Sequence, residues 1–301
     1  MSDKARTGFI LIAALACTAG VLAAAEDAPR TAGPYVPTPQ VIVDRMLQMA
    51  EVSKADFVVD LGSGDGRLVR TAARAHGASG FGVDIDADLV ERSNAEARRE
   101  GIADRAKFHQ QDVFQADIRK ATVVTLYVLP EMMRSLRPKM LSELRPGTRI
   151  VSHDYHFREW IPDQRVTFDV PEKKEAVGFS STSIYVWVVP ARVGGRWRLE
   201  VAGNTLPDPV TLSFHQSFQY VNGVAEVGAR KTELGNIKLK GDQFEFALDS
   251  GRTAGGDRHV YRGKVNADTI EGEVAWGTAL TPRRYKWKAT RIEPATEPFA
   301  Y

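Results

Sequence analysis

Between residues 40 and 190 the apolar positions follow two rhythms in turn. Short apolar runs with β-branched or aromatic residues, at 57–59, 79–86, 106–110, 121–129 and 148–152, read as strands of a buried sheet. The stretches between them repeat at helical spacing. Val41, Ile42, Met46, Leu47, Met49 and Ala50 give one apolar face, with Thr38 and Pro39 as its N-cap and first helical residue. Leu68, Val69, Ala72 and Ala73 give a second face that Gly77 stops, and Leu89, Val90, Ser93 and Ala97 a third that Gly101 ends. A fourth helix opens at Pro130 and continues through Met133, Leu136, Met140, Leu141 and Leu144 to Gly147, with an interruption expected at Pro138. Strand and helix in alternation predict an α/β sheet. The β-rich segments VTFDV and STSIYVWVV predict an antiparallel hairpin that closes it near Pro190.

The rhythm changes at Arg192. Segments such as GRWRLEVAG, VTLSFHQSFQYV, GNIKLKG, DQFEFALD and RRYKWKATRI alternate apolar with polar residues and are separated by glycine or Asn/Asp turns. About eight short antiparallel strands without a helix predict an all-β, lipocalin-like C-terminal domain. The expected division is one domain over 34–190 and an antiparallel β-domain over 191–301. Trp197, Trp276 and Trp287 are expected in the β-domain core, and Lys231, Lys238, Lys240, Arg283, Arg284, Lys286 and Lys288 on its solvated face.

Composition adds most at the amino terminus. The apolar run GFILIAALACTAGVLAAA, 8–25, follows Lys4 and Arg6, ends on three alanines and precedes Glu26 and Asp27. This reads as a signal peptide over 1–25 cleaved near Ala25, with a linker over 26–33, and so as an exported, periplasmic or extracytoplasmic protein. The alternative is a membrane anchor through residues 8–25. Over 301 residues, 40 basic and 38 acidic side chains leave a net charge of +2, so no nucleic-acid partner is expected. The single cysteine, Cys17, excludes an intrachain disulfide and a cysteine metal cluster.

The candidate chemistry begins at VVDLGSGDGRLV, where Gly62, Gly64 and Gly66 join a strand to a helix. A dinucleotide fingerprint needs a glycine where Arg67 stands, and Asp60 and Asp65 would face phosphates without a counter-ion. A cationic, unphosphorylated ligand suits the loop better. Asp84 ends the second strand, 18 residues past Gly66, where a carboxylate is placed to accept from two ribose hydroxyls. Asp112 follows the third strand, so three acids stand at three successive strand ends.

The pattern D-x-G-x-G-x-G resembles motif I of class I S-adenosylmethionine-dependent methyltransferases. That resemblance implies a Rossmann-like seven-stranded sheet with helices on both faces and S-adenosyl-L-methionine as cofactor. It also implies that Asp60 faces the methionine end, and that Asp112 holds the adenine amino group with Val113 beside the ring. The tracts PYVPTP, DLGSGDGR and LPEMMRSLRPKMLSELRPGTRIVSHDYHFREWIPD narrow it. Over about residues 34–163 the chain is similar to the mitochondrial ATP synthase c-subunit lysine methyltransferases and their bacterial relatives. Methyl transfer to a protein lysine is what this implies. The alternatives are a small-molecule acceptor, or an exported binding module that keeps a vestigial methyltransferase fold.

Transfer to an amine requires the acceptor to lose its proton, which a desolvating aromatic channel favours. Tyr127 and Pro130 after the fourth strand, with Tyr155 and Trp160 after the fifth, are the candidate channel residues. His153 and His156 are candidate general bases, because histidine titrates near the working pH. With Asp154 they form a minimal metal set, but no further ligand is in register and no metal is expected.

Overall fold

The structure is a computed structural model that describes residues 35–203, 209–249, 258–276 and 283–296. The signal-peptide and linker readings at 1–33 lie outside the described residues. Among the described residues, no helix is long and apolar enough to cross a membrane.

The first sheet holds β1 (Phe57–Leu61), β2 (Ser79–Asp84), β3 (Ala106–Gln110), β4 (Val123–Leu126), β5 (Arg149–His153), β6 (Gln164–Asp169) and β7 (Ser181–Val188). Their spatial order is β3-β2-β1-β4-β5-β7-β6, with β7 antiparallel to both of its neighbours and the other pairings parallel. Alternation along β1 builds the two layers. Val58 faces a cluster with α1 (Gln40–Met49) and α2 (Arg67–His76), whereas Val59 and Leu61 face one with α4 (Pro130–Glu143). α3 (Ala87–Arg99) packs Val90 and Ala97 against Val69, Ala73 and Phe108. The seven-stranded α/β expectation holds.

Several local expectations are corrected. Thr38 does not cap α1: Pro39 is the N-cap, its carbonyl accepting from the Ile42 and Val43 N–H groups, while the Thr38 side chain is buried elsewhere. The fourth strand ends at Leu126, because the chain must turn at Leu129 (ψ 154°) to enter α4 at Pro130. α4 runs through Pro138 without interruption. A short helix, α5 (Pro171–Val177), intervenes between β6 and β7; Pro171 opens it and Gly178, at φ 87°, closes it.

The second sheet is an antiparallel meander of β8 (Gly195–Val201), β9 (Val210–Ser217), β10 (Tyr220–Val227), β11 (Arg230–Glu233), β12 (Gly235–Lys240), β13 (Gln243–Asp249), β14 (Arg258–Asn266), β15 (Thr269–Trp276) and β16 (Arg283–Pro294). Its first strand, β8, pairs with its last, β16, and the sheet's two ends are β11 and β12. These are one bent segment: Leu234 turns a strand that pairs with β10 on one side and β13 on the other. The result is a nearly closed barrel. Its interior is occupied by Trp197, Phe214, Phe244, Phe246, Tyr261 and Trp287, all buried, with Phe246 stacked on Tyr261 at 4.8 Å. Outside, charges pair across strands, as in Lys286–Glu273, Lys288–Glu271 and Arg262–Glu245 at 2.7–2.8 Å.

The sheets meet where the Ala191 N–H donates to the Gly241 carbonyl and where the β9–β10 turn inserts Phe218 into the core of the first sheet. At Gly241 a side chain would stand 2.9 Å from the Gly147 Cα, so the two backbones touch directly.

Candidate active site

The glycine loop leaves the carboxyl end of β1. Gly62, Gly64 and Gly66 all have positive φ (82°, 52° and 76°), and the Gly62 and Ser63 N–H groups both donate to the Val83 carbonyl. The third glycine serves packing: a Cβ on Gly66 would lie 2.5 Å from the Phe108 ring and 2.9 Å from the Ser93 Cβ. Arg67, in place of a further glycine, makes a two-pronged bond to Asp65 and donates to the Thr38 carbonyl at 2.6 Å. Tyr35 completes a strap over the loop. Its ring lies 2.6 Å from where a Gly64 Cβ would stand.

Of these acids, only Asp65 has a cation among the described residues, Arg67 at 2.6 Å. Burial pushes its pKa up, but the Arg67 bonds outweigh this and hold it below the ordinary range. Asp60 is fully buried with the Thr125 hydroxyl at 2.6 Å as its partner. Burial, reinforced by the charges of Asp84 and Asp65, pushes its pKa up to about 7 against the pull of that hydroxyl. Asp84 accepts from the Gly64 N–H at 2.8 Å and from the Asp86 N–H at 3.1 Å, which fixes both oxygens at the mouth of the loop. Asp112 lies beyond the end of β3 beside Ile85, His109, Gln110, Gln111 and Gln115, which line one cleft; it accepts from the Phe114 N–H. Val113 turns its side chain into the core. Sequence reasoning missed Ile85, a large apolar side chain 42% exposed directly after Asp84, where it offers a flat ligand a hydrophobic wall. The clue in the sequence is an isoleucine between two strand-end aspartates.

The acceptor end is aromatic. Tyr127 packs on the His153 ring at 4.0 Å and stacks with Tyr155 at 6.2 Å; Pro130 begins α4 beside the exposed Leu129. Burial raises the Tyr127 pKa to about 12, with the Asp154 charge next in weight, so the phenol stays neutral. His153 is 1% exposed, with Nε2 2.8 Å from the Thr182 hydroxyl and Nδ1 3.4 Å from that of Thr38. Desolvation carries its pKa down to about 4. His156 is exposed, and its Nδ1 accepts from the Arg158 N–H. Behind His153, Asp154 pairs with Lys173 at 2.5 Å, a lysine only 2% exposed that also donates to the Ser181 carbonyl.

Trp160 is not on this surface. It is fully buried, stacked between Phe157 and Phe218, and its indole N–H donates to Gln219 of the barrel. The channel expectation there is corrected: a side chain this size, next to Trp187, is drawn into the core where the barrel covers it.

Comparison with known proteins bears on this arrangement. The ANTKMT methyltransferase domain family matches residues 60–164. A protein-lysine N-methyltransferase of Saccharolobus islandicus (strain REY15A) is 38% identical over 157 residues, which are 52% of this chain and 93% of that protein. The chain belongs to this methyltransferase family. The ATP synthase c-subunit lysine N-methyltransferase of Xenopus laevis is 34% identical over 130 residues, 43% of this chain, and the match spans only 57% of the frog enzyme. Among solved structures, an RNA methyltransferase from Salinibacter ruber in complex with S-adenosyl-L-homocysteine is 46% identical, covering 52% of this chain and 96% of that one with a TM-score of 0.47. The family assignment makes the protein an S-adenosylmethionine-dependent methyltransferase, and its buried, cation-less Asp60 fits a ligand carrying a sulfonium and an ammonium group.

Proposed function

We propose that the enzyme transfers a methyl group to a lysine side chain of a protein, at the aromatic rim formed by Tyr127 and Tyr155. The observation that carries this reading is the aromatic packing of that rim, with Tyr127 4.0 Å from the His153 ring and stacked on Tyr155 at 6.2 Å; burial raises the Tyr127 pKa and lowers that of His153, so both rings are favoured in their uncharged forms. A lysine entering such surroundings is favoured as the free amine, because desolvation penalises the ammonium form. Kinship with lysine methyltransferases supports the same acceptor.

Asp60 lies toward the ligand's cationic end, Asp84 takes the ribose hydroxyls, Asp112 the adenine amino group, and Gly62, Gly64 and Gly66 let the backbone close around them. Val113 contributes its backbone. When bound, S-adenosylmethionine supplies a methyl carbon on a sulfonium. Tyr127 and Tyr155 would hold the acceptor amine desolvated and without its extra proton, which water would take on entry, so that the amine nitrogen is free to receive that carbon. Positioning therefore supplies the acceleration. Neither histidine is assigned as a base: His153 is buried, with Nε2 beside the Thr182 hydroxyl and the Asp154 carboxylate and Nδ1 beside the Thr38 hydroxyl, and the His156 Nδ1 is held by a backbone N–H. His153 instead braces the Tyr127 ring.

We further propose that 34–190 is the transferase domain and 191–301 a separate β-domain, and that the protein is exported by the signal sequence at 1–25. A reporter that fluoresces only in the cytoplasm, fused after Tyr301, stays dark on this reading; a bright fusion retaining Met1 overturns export. The acceptor is tested by incubating the full chain with labelled S-adenosylmethionine and a protein extract, then hydrolysing the labelled protein. Methyllysine is the expected product. Label recovered only as another methylated residue or in small molecules overturns the lysine reading.

A further inference from the structure

The segment from Asp154 to Asp163 carries the acceptor rim, and apart from the Arg158 N–H bond to the His156 ring its shape is imposed by its neighbours. Two of its residues, Asp154 at φ 62° and Arg158 at φ 56°, occupy the left-handed region without being glycine, a conformation that persists only when the surroundings impose it. The surroundings are identifiable. From within the first sheet, the Trp187 indole donates to the Trp160 carbonyl at 2.8 Å, and Arg137 donates to the Phe157 carbonyl at 3.3 Å. The two ends of the segment are tied to β7 and α5: Asp154 accepts from the Thr182 hydroxyl and the Ser183 N–H and pairs with Lys173, and the Asp163 N–H donates to the Val186 carbonyl. Its middle, at Trp160 and Ile161, is held from the barrel. Phe218 lies on Trp160 with ring centroids 5.6 Å apart and planes 7° from parallel, and Gln219 both accepts from the Trp160 indole at 3.0 Å and donates to the Ile161 carbonyl at 2.8 Å.

The barrel turn is itself fixed for this task. Phe218, 2% exposed, is a non-glycine residue at φ 53°, so the turn accepts an unfavourable backbone to aim the ring outward from the barrel. Gln216 uses its whole amide to anchor it, accepting from the Val193 and Gly194 N–H groups and donating to the Ala191 and Phe218 carbonyls. From Trp160 the contact continues through Trp187 to Tyr185 and the His156 ring, at centroid spacings of 6.2, 5.9 and 5.3 Å.

We infer that Phe218 and Gln219, residues of the barrel, are positioning residues for the acceptor side of the methyl-transfer site, holding the segment 154–163 that presents Tyr155 and His156. This rests on the methyl-transfer reading for its purpose but not for its test. Hydrogen exchange of the full-length protein is followed with Phe218→Ala, Gln219→Ala and the conservative Phe218→Tyr, and S-adenosylhomocysteine affinity is measured on the same samples. Amides of 154–163 exchange faster by about tenfold or more in Phe218→Ala, less so in Gln219→Ala, and return toward wild type in Phe218→Tyr, while the glycine loop and the cofactor Kd stay within about twofold. With poly-L-lysine as acceptor, KM for the polymer rises and KM for the cofactor does not. Exchange at 154–163 unchanged in both alanine variants overturns the inference, as does equal loosening of the glycine loop. Should Phe218→Ala fail to fold, Gln219→Ala, which leaves the ring stack in place, decides alone. Failure of the wild type to bind S-adenosylhomocysteine strikes the functional reading instead and leaves the exchange result to be read on its own.

Discussion

The strand ends of the first sheet and the wall of the barrel are both lined with charge, and they treat it in opposite ways. On the barrel Arg262, Lys286 and Lys288 each meet a glutamate on the neighbouring strand, at solvent-exposed positions where each pair contributes little. At the first sheet's carboxyl edge Asp60, Asp65 and Asp84 repel one another with Arg67 paired to Asp65, and Asp60 is buried with a hydroxyl for company. A surface that satisfies itself needs nothing further. An edge that gathers like charge beneath a glycine loop stays incomplete until a cation arrives, and that difference locates the chemistry more sharply than the fold does.

The contrast is easiest to break at its glycines. Gly66→Ala places a methyl against Phe108 and Ser93 at φ 76° and is expected to destabilise the protein by about 2 to 5 kcal/mol in urea unfolding. Gly203→Ala in the barrel has φ 71° but open space around it, so its cost is expected at about 1 kcal/mol, from backbone strain alone. Comparable losses at the two sites would erase the distinction.

Asp60 sharpens it through pH. Its folded pKa stands above its unfolded one, so the folded state binds the extra proton between about pH 4 and 7, and ligand-free stability falls as pH rises through that window. Relative to wild type, Asp60→Asn is expected to gain up to about 4 kcal/mol above pH 7 and little at pH 4. Cofactor affinity should run the other way, weakening in the wild type by up to about tenfold per pH unit below 7 and staying flat in the variant. Thermal melts and calorimetry with S-adenosylhomocysteine across pH 5–8 test both; a wild-type affinity independent of pH would remove Asp60 from the ligand's cationic end.

Smaller effects follow. Asp84→Ala should weaken S-adenosylhomocysteine binding by about 1 to 3 kcal/mol, and an unchanged Kd would move the ribose contact elsewhere. Smallest of all, Lys286→Ala should change stability by less than about 1 kcal/mol, the range of an exposed ion pair. A larger loss in urea would mean that the barrel's charges matter as the first sheet's do.

The legible parts of the molecule were those set by period and punctuation. Five of the strands, the order of acids at their ends and the change to period two near Arg192 followed from local pattern alone, because buried strands and helix faces leave direct traces in spacing. What escaped was set by partners distant in sequence. PEKKEAVG looks like a solvated turn, yet Lys173 is buried against Asp154; Pro171 and Gly178 were the available signs of a helix there. Thr38 has the side chain of a cap, but its hydroxyl faces His153, 115 residues away. Trp160 has the character of a channel residue until Phe218 is known to cover it, and nothing in the tetrapeptide SFQY announces that its phenylalanine leaves the barrel.

The pairing of β8 with β16 also sets an order in time. A chain made from its amino end at about 5 to 20 residues per second exposes the unpaired edge of β8 for about 5 to 20 seconds before β16 has been synthesised. During that interval the strands from β8 to β15 form at most an open sheet with two bare edges, the form in which sheets join to one another between molecules. Because Phe218 emerges well before β16, the turn that braces the rim is available while the barrel behind it is still open. Ribosome pausing within the last turns of the barrel would therefore lengthen the time at risk of aggregation without delaying the sheet that binds the cofactor.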